Sequence, residues 1–183
     1  FDLPFALLKI GYNSFADCNL SSILIPAFVT TIESGPFRGC SNIKVEPENL
    51  NFSDVDGILF DKLISKIIEF PSTRTGDYNI PESVKTIGEN AFNWSNINHI
   101  NISGSVESLE SGAFLYCIHL SSITVHNQIP VDLSSVTNVF TGINKNTCTL
   151  YVPYGSKTAY LAANQWQDFE NIVEMPGFSL SST

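Results

Sequence analysis

Apolar positions along this chain fall into two nested patterns. A short alternation runs inside segments of a few residues, and a long interval separates the segments. Phe15, Phe37, Phe60, Phe92 and Phe114 mark the long interval, with Phe140 as a degenerate sixth member. Its first two steps are 22 and 23 residues, and the step from Phe92 to Phe114 is 22 again. The wide step from Phe60 to Phe92 holds an insertion around "STRTGDYN". The register also extends upstream. Pro4, Pro26 and Pro81 each stand six residues before Ile10, Ile32 and Ile87, and each isoleucine stands five before its phenylalanine. Leu109 takes that place before Phe114.

Downstream of each phenylalanine comes an alternating aliphatic pair: Ile23/Ile25, Ile100/Ile102 and Ile123/Val125, with Val45 in a shortened version. Alternation of β-branched residues predicts a half-buried strand. Pro26 closes the first of these, where no further backbone N–H is needed. The stretch "IGENAF" at 87–92 is short and carries Gly, Glu and Ala, which predicts a helical turn. One short strand plus one turn cannot bury its own apolar face. Stacked on copies of itself it can, and a period of 20–30 residues therefore predicts a solenoid. Equivalent isoleucines and phenylalanines then form ladders through the interior, one rung per coil at ~4.8 Å.

The repeat units resemble a known family. "IPESVKTIGENAFNWSNINHINI" and "VESLESGAFLYCIHLSSITV" are similar to the BspA-like leucine-rich repeats of surface proteins from Bacteroides-type gut and oral bacteria. That family repeats Pro-x5-Ile-Gly-x3-Phe-x2-Cys-x2-Leu-x2-Ile-x-Ile. "SDVDGILFDKLISKIIEFPSTRTGDYNIP" resembles its variant coil, and "TLYVPYGSKTAYLAANQWQDFENIVEM" its terminal unit. The likeness covers nearly all of residues 4–175. Two units are one residue short between Cys18 or Ser95 and the strand, and Ser95 stands at a cysteine position. The third unit replaces its Phe-x2-Cys segment. The resemblance implies an α/β leucine-rich repeat solenoid, mostly β in content: short parallel strands with helical turns, about six coils over 1–175.

A solenoid exposes its core at both ends and needs caps. Ala, Leu, Tyr160, Trp166 and Phe169 within 156–169 suit an amphipathic helix over the last coil, with "NIVEM" as a closing strand and 156–175 as the cap. The first unit begins in mid-repeat without a cap, which predicts further coils or another domain before it. Residues 176–183 read as a tail.

Composition narrows the class. At 183 residues one domain is expected, with 43% hydrophobic and 15% charged residues. A formal charge of −9 and the absence of any Lys/Arg-rich run argue against nucleic acid or an anionic membrane as partner. No apolar stretch reaches the ~20 residues of a membrane span. No stretch of this chain reads as a signal peptide, so a cell-surface or secreted location is expected from the family resemblance and not from a leader. Four Asn-x-Ser sequons, at Asn19, Asn51, Asn93 and Asn101, are read as coincidence in an Asn- and Ser-rich chain.

Candidate chemistry is sparse. Cys18, Cys40 and Cys117 share one repeat position and Cys148 stands apart, with no C-x-x-C or zinc spacing. A Cys18–Cys40 disulfide fits the coil spacing, but parallel Cβ directions oppose it. A buried, weakly polar filler at the corner of the coil is the favoured reading. His99 aligns with Ser122, four residues from His126, or about 13 Å along a strand, too far for one metal ion. Asp54, Asp56, Gly57 and Asp61 lack the closing ligands of a calcium loop and read as a tight Asp-Gly turn. No nucleophile elbow, P-loop or dinucleotide motif is present. No catalytic residue, metal or cofactor is assigned.

What remains is a surface. If the aliphatic pairs face inward, Leu24, Lys44, Asn101, Thr124 and Tyr151 face outward, as one ladder of candidate ligand-binding residues. Tyr151 is its aromatic member. The family resemblance implies a non-enzymatic cell-surface or secreted module that binds extracellular protein or glycan. The alternative is a spacer within a larger surface protein, with no ligand of its own.

Overall fold

The computed structural model describes residues 2–177, so Phe1 and positions 178–183 of the expected tail lie outside the described residues. The strands are β1 (Lys9–Ile10), β2 (Ile23–Ile25), β3 (Thr31–Ile32), β4 (Ile43–Val45), β5 (Phe52–Val55), β6 (Ile58–Asp61) and β7 (Lys66–Glu69). They continue with β8 (Thr75–Asn79), β9 (Thr86–Ile87), β10 (Asn96–Ile102), β11 (Ser108–Leu109), β12 (Ser122–Val125) and β13 (Thr149–Val152). Helix α1 (Lys157–Ala162) and strand β14 (Asn171–Glu174) complete the fold. A regular coil has a front strand, a short back strand and a turn side.

Outside the β5-β6-β7 segment, whose pairings are antiparallel, front and back strands stack in parallel, as the repeat predicts. The front holds two sheets, β2-β4 and β8-β10-β12-β13-β14, and the back holds β1-β3 and β5-β6-β7-β9-β11. Ile100, Ile123, Leu150 and Ile172 fall in one register line, and all are buried. Ile67, Ile87 and Leu109 do the same on the back.

The turn side is where the expected helical turn fails. In coil after coil, alternate backbone N–H groups leave their own turn and donate to the next coil. Asn90, Phe92 and Trp94 bond to the carbonyls of Ser111, Ala113 and Leu115 at 2.9–3.2 Å, and Gly112, Phe114 and Tyr116 bond to those of Thr137, Val139 and Thr141. Donors pointed outward cannot make the i−4 bonds of a helix. Each such turn instead carries two left-handed residues four apart. The first slot holds Asn13, Gly35, Asn90, Gly112 and Asn138; the second holds Asp17, Gly39, Trp94, Tyr116 and Gly142. Asn and Gly adopt this conformation readily, whereas a bulky side chain there costs about 1–2 kcal/mol.

Phenylalanines form the expected spine with one exchange of member. Phe70, not Phe60, stacks on Phe92 at 4.7 Å, and Phe92 stacks on Phe114 at 5.1 Å and Phe114 on Phe140 at 5.9 Å. Phe70 also stands 22 residues before Phe92. The true insertion lies earlier than "STRTGDYN", whose Thr75–Asn79 forms front strand β8. It is the antiparallel hairpin β5–β6, turned by Asp56 (φ 50°) and Gly57 (φ 78°) as the Asp-Gly pair predicted. A Cβ at Gly57 would sit 2.3 Å from the Asn42 side-chain oxygen. Gly57 accepts the Ile43 N–H (3.0 Å) and Asp54 accepts that of Val45 (2.8 Å), so the hairpin occupies the free edge of β4.

This hairpin partitions the core. Ile10, Ile23, Ile25, Phe37 and Leu59 form one cluster, and Phe60, Phe70, Phe92 and their successors form the other. Asn49, fully buried, secures the chain before the hairpin. It donates to the carbonyls of Pro26 and Val29 and accepts the N–H groups of Asn51 and Phe52.

The C-terminal cap is less helical than the expected 156–169. The helix stops at Ala162, and Gln165 (φ 64°) reverses the chain, bonding to Leu133, Val136 and Val139. That reversal brings Trp166 and Phe169 to 4.7 and 5.2 Å from Phe140, closing the spine. The closing strand is present as β14.

Candidate functional site

Alternation along the front strands places all five expected residues on the outer side of the sheets. It does not bring them together. Leu24 and Lys44 are partners on the β2-β4 sheet, and the Lys44 amine is held by Asp54 at 2.9 Å. Asn101, Thr124 and Tyr151 lie in register on the other sheet, beyond the hairpin.

Two residues missed in the sequence extend that second row. Asn79 pairs with Asn101 on one side and Val173 with Tyr151 on the other, so five outward positions run across β8, β10, β12, β13 and β14. At ~4.8 Å per strand the row spans roughly 19 Å. A second outward row is polar throughout: Asp77, His99, Ser122, Thr149 and Asn171. An insertion around "STRTGDYN" predicts no strand for Asn79 and Asp77, and a cap over 156–175 predicts no outward face for Val173.

The two ends of the face differ in chemistry. Toward β8 lies a shallow recess of about 320 Å³ lined by Asp77, Tyr78, His99, Asn101, Thr124 and His126. His126 Nε2 meets Asn101 Oδ1 at 2.7 Å, and His99 Nδ1 meets Ser122 Oγ at 2.8 Å. Toward β14, Tyr151 (37% exposed) and Val173 (44%) are neighbours and give the face an apolar end. No group of three His, Cys, Asp or Glu suited to a metal ion occurs among the described residues.

The cysteines are free thiols and behave as packing residues, with one exception. Cys117 is buried and contacts the Phe92 carbonyl at 3.0 Å; burial pushes its thiol up to about 12. Burial moves Cys148 up to about 11 and raises Cys40 as well. Cys18 departs from the expected buried filler and is exposed, since no coil of the described residues lies beneath it.

A second surface feature was not anticipated. Trp94 and Tyr116, each two residues after a spine phenylalanine, stack at 4.8 Å and remain 44% and 40% exposed. Both occupy the left-handed second slot. Across the turn side, Arg38 holds Asp17 in an ion pair, and this hydrogen bond lowers the Asp17 carboxyl.

The BspA type leucine rich repeat region model matches residues 1–76 and 69–151, in six copies. A leucine-rich repeat protein from Eubacterium ventriosum shares the fold with a TM-score of 0.62 and 21% identity, over 85% of this chain and 48% of that one. A leucine rich cell surface protein from Faecalibacterium prausnitzii gives 0.54 and 21%, over 87% and 49%. The chain spans about half the length of these two proteins, and at such identity the likeness shows the fold alone. No curated protein matches it.

Proposed function

Because the chain belongs to the BspA-type leucine-rich repeat family, we propose that it is a non-enzymatic binding module of a bacterial surface or secreted protein. Its front sheet β8-β10-β12-β13-β14 engages an extracellular protein. The observation that carries this reading is the register row Asn79–Asn101–Thr124–Tyr151–Val173, polar at one end and apolar at the other. Repeat proteins bind through such open strand faces. Aromatic residues are enriched among the few positions that dominate binding energy. Leu24 and Lys44 stand apart from this surface and contribute through it only if the partner also covers the hairpin.

The spacer reading predicts a uniformly polar face, which Tyr151 beside Val173 disfavours. A screen of immobilised host extracellular-matrix proteins tests the proposal. Tyr151→Ala is expected to weaken any captured partner about tenfold or more, a difference of ~1.4 kcal/mol. A wild-type chain that captures no matrix protein, or a partner indifferent to Tyr151→Ala, overturns it.

A further inference from the structure

The second left-handed slot of the turn side reads Asp17, Gly39, Trp94, Tyr116 and Gly142 from coil to coil. Ser72 takes the equivalent place after Phe70, two residues beyond the spine ring as in the other coils. Its hydroxyl accepts the Gly39 N–H at 2.8 Å. Small residues in the middle of this series leave a gap between larger ones. The gap is a recess of about 360 Å³, floored by Gly39 and Ser72 and walled by Trp94 on one side and the Asp17–Arg38 pair on the other. Its volume falls within the range of small-ligand sites.

The fold does not need aromatics in that slot. Glycine occupies it twice without strain, whereas Trp94 and Tyr116 hold φ 58° and 56° with side chains that disfavour such values. Conformational strain kept by bulky exposed residues points to a use at the surface. Their rings, stacked at 4.8 Å, form an apolar platform beside polar groups. Asp17 offers acceptors and Arg38 offers donors, side by side in a two-bond ion pair. Trp94 is 44% exposed, and its indole carries one N–H donor.

We infer that this recess is a binding site for a neutral glycan, distinct from the front sheet. A pyranose ring presents an apolar C–H face that packs on an indole, and a rim of hydroxyls that both donate and accept. The recess offers both complements at once. Charge excludes the acidic alternatives. Asp17 and Arg38 compensate each other, and a chain with net charge −9 repels sulfated or uronic sugars. A peptide adding as a strand is also disfavoured, because the turn N–H groups of Asp17, Trp94 and Tyr116 are already bonded to the next coil.

The test uses lactose, cellobiose, maltose and diacetylchitobiose as neutral probes, with a sulfated heparin disaccharide as control. Ligand saturation-transfer NMR and tryptophan fluorescence report binding, the latter through exposed Trp94 against buried Trp166. At least one neutral probe is expected to bind saturably, with transfer to its ring C–H protons. Trp94→Gly should weaken it about tenfold or more while leaving thermal stability unchanged or higher, since glycine suits the slot. Asp17→Asn should also weaken binding, and Tyr151→Ala should not, which separates this site from the front sheet. No binding by any neutral probe, equal binding of the sulfated one, or a stability loss in Trp94→Gly that marks the ring as packing would overturn the inference.

Discussion

Leu59 and Phe60 are adjacent on strand β6, yet their side chains enter two different cores. Leu59 belongs to the cluster that holds Ile10, Ile25 and Phe37, and Phe60 to the one that holds Ile67, Phe70 and Phe92. Both are fully buried, because β6 has apolar neighbours on each face. The hairpin is thus an internal wall between two apolar clusters, and polar bonds such as Gly39 to Ser72 still join the stacks along the turn side.

Separate apolar clusters predict separable losses of stability. Leu59→Ala and Phe60→Ala should each cost several kcal/mol, about 2–5 and 3–5 respectively, as buried large-to-small changes do. Hydrogen exchange should place the losses differently: β2 and β4 lose protection first in Leu59→Ala, and β9, β10 and β12 in Phe60→Ala. Uniform loss in both variants would mean that the wall couples the stacks.

Glu69 should make the fold pH-dependent. It is almost wholly buried, one carboxylate oxygen has no partner, and burial holds its carboxyl well above the usual range despite the opposing pull of Arg38. Between the unfolded value of about 4.3 and the higher folded one, the native chain keeps a proton that the unfolded chain has lost. Stability contributed here is therefore level below about pH 4 and falls as pH rises through that window. Glu69→Gln cannot ionise, so its melting temperature should exceed the parent's increasingly toward neutral pH and converge with it in acid. Parallel curves across the range would contradict this.

Thiol reactivity should sort the cysteines by coil. In the native protein a thiol reagent should modify Cys18 quickly and Cys40, Cys117 and Cys148 slowly, because burial both shields those three and raises their thiols. After unfolding without reductant, all four should titrate. A count of two would indicate a disulfide and displace the packing role.

The solenoid was readable from the chain because an interior position recurs once per coil. Spacing alone therefore aligned Ile10 with Ile32 and Ile87 with Leu109, as the strands do. Spacing was ambiguous where two phenylalanines both fitted the series. Phe60 stands 23 residues after Phe37 and Phe70 stands 22 before Phe92. Only the antiparallel pairing of β6 removes Phe60 from the spine. The candidate face was legible residue by residue, since alternation decides which side of a strand points out. Its division was not, because separating Lys44 from Asn101 depends on a hairpin packed between their sheets.

Local pattern, then, determined the repeat and the strand faces, since each follows from which side chains must leave water in every coil. Tertiary structure alone decided where the stack is broken and which outward residues share a surface. It also decided that Trp94 and Tyr116 hold left-handed turns at the edge of an open recess. Those outcomes depend on contacts between distant coils, and no single unit of the sequence encodes them.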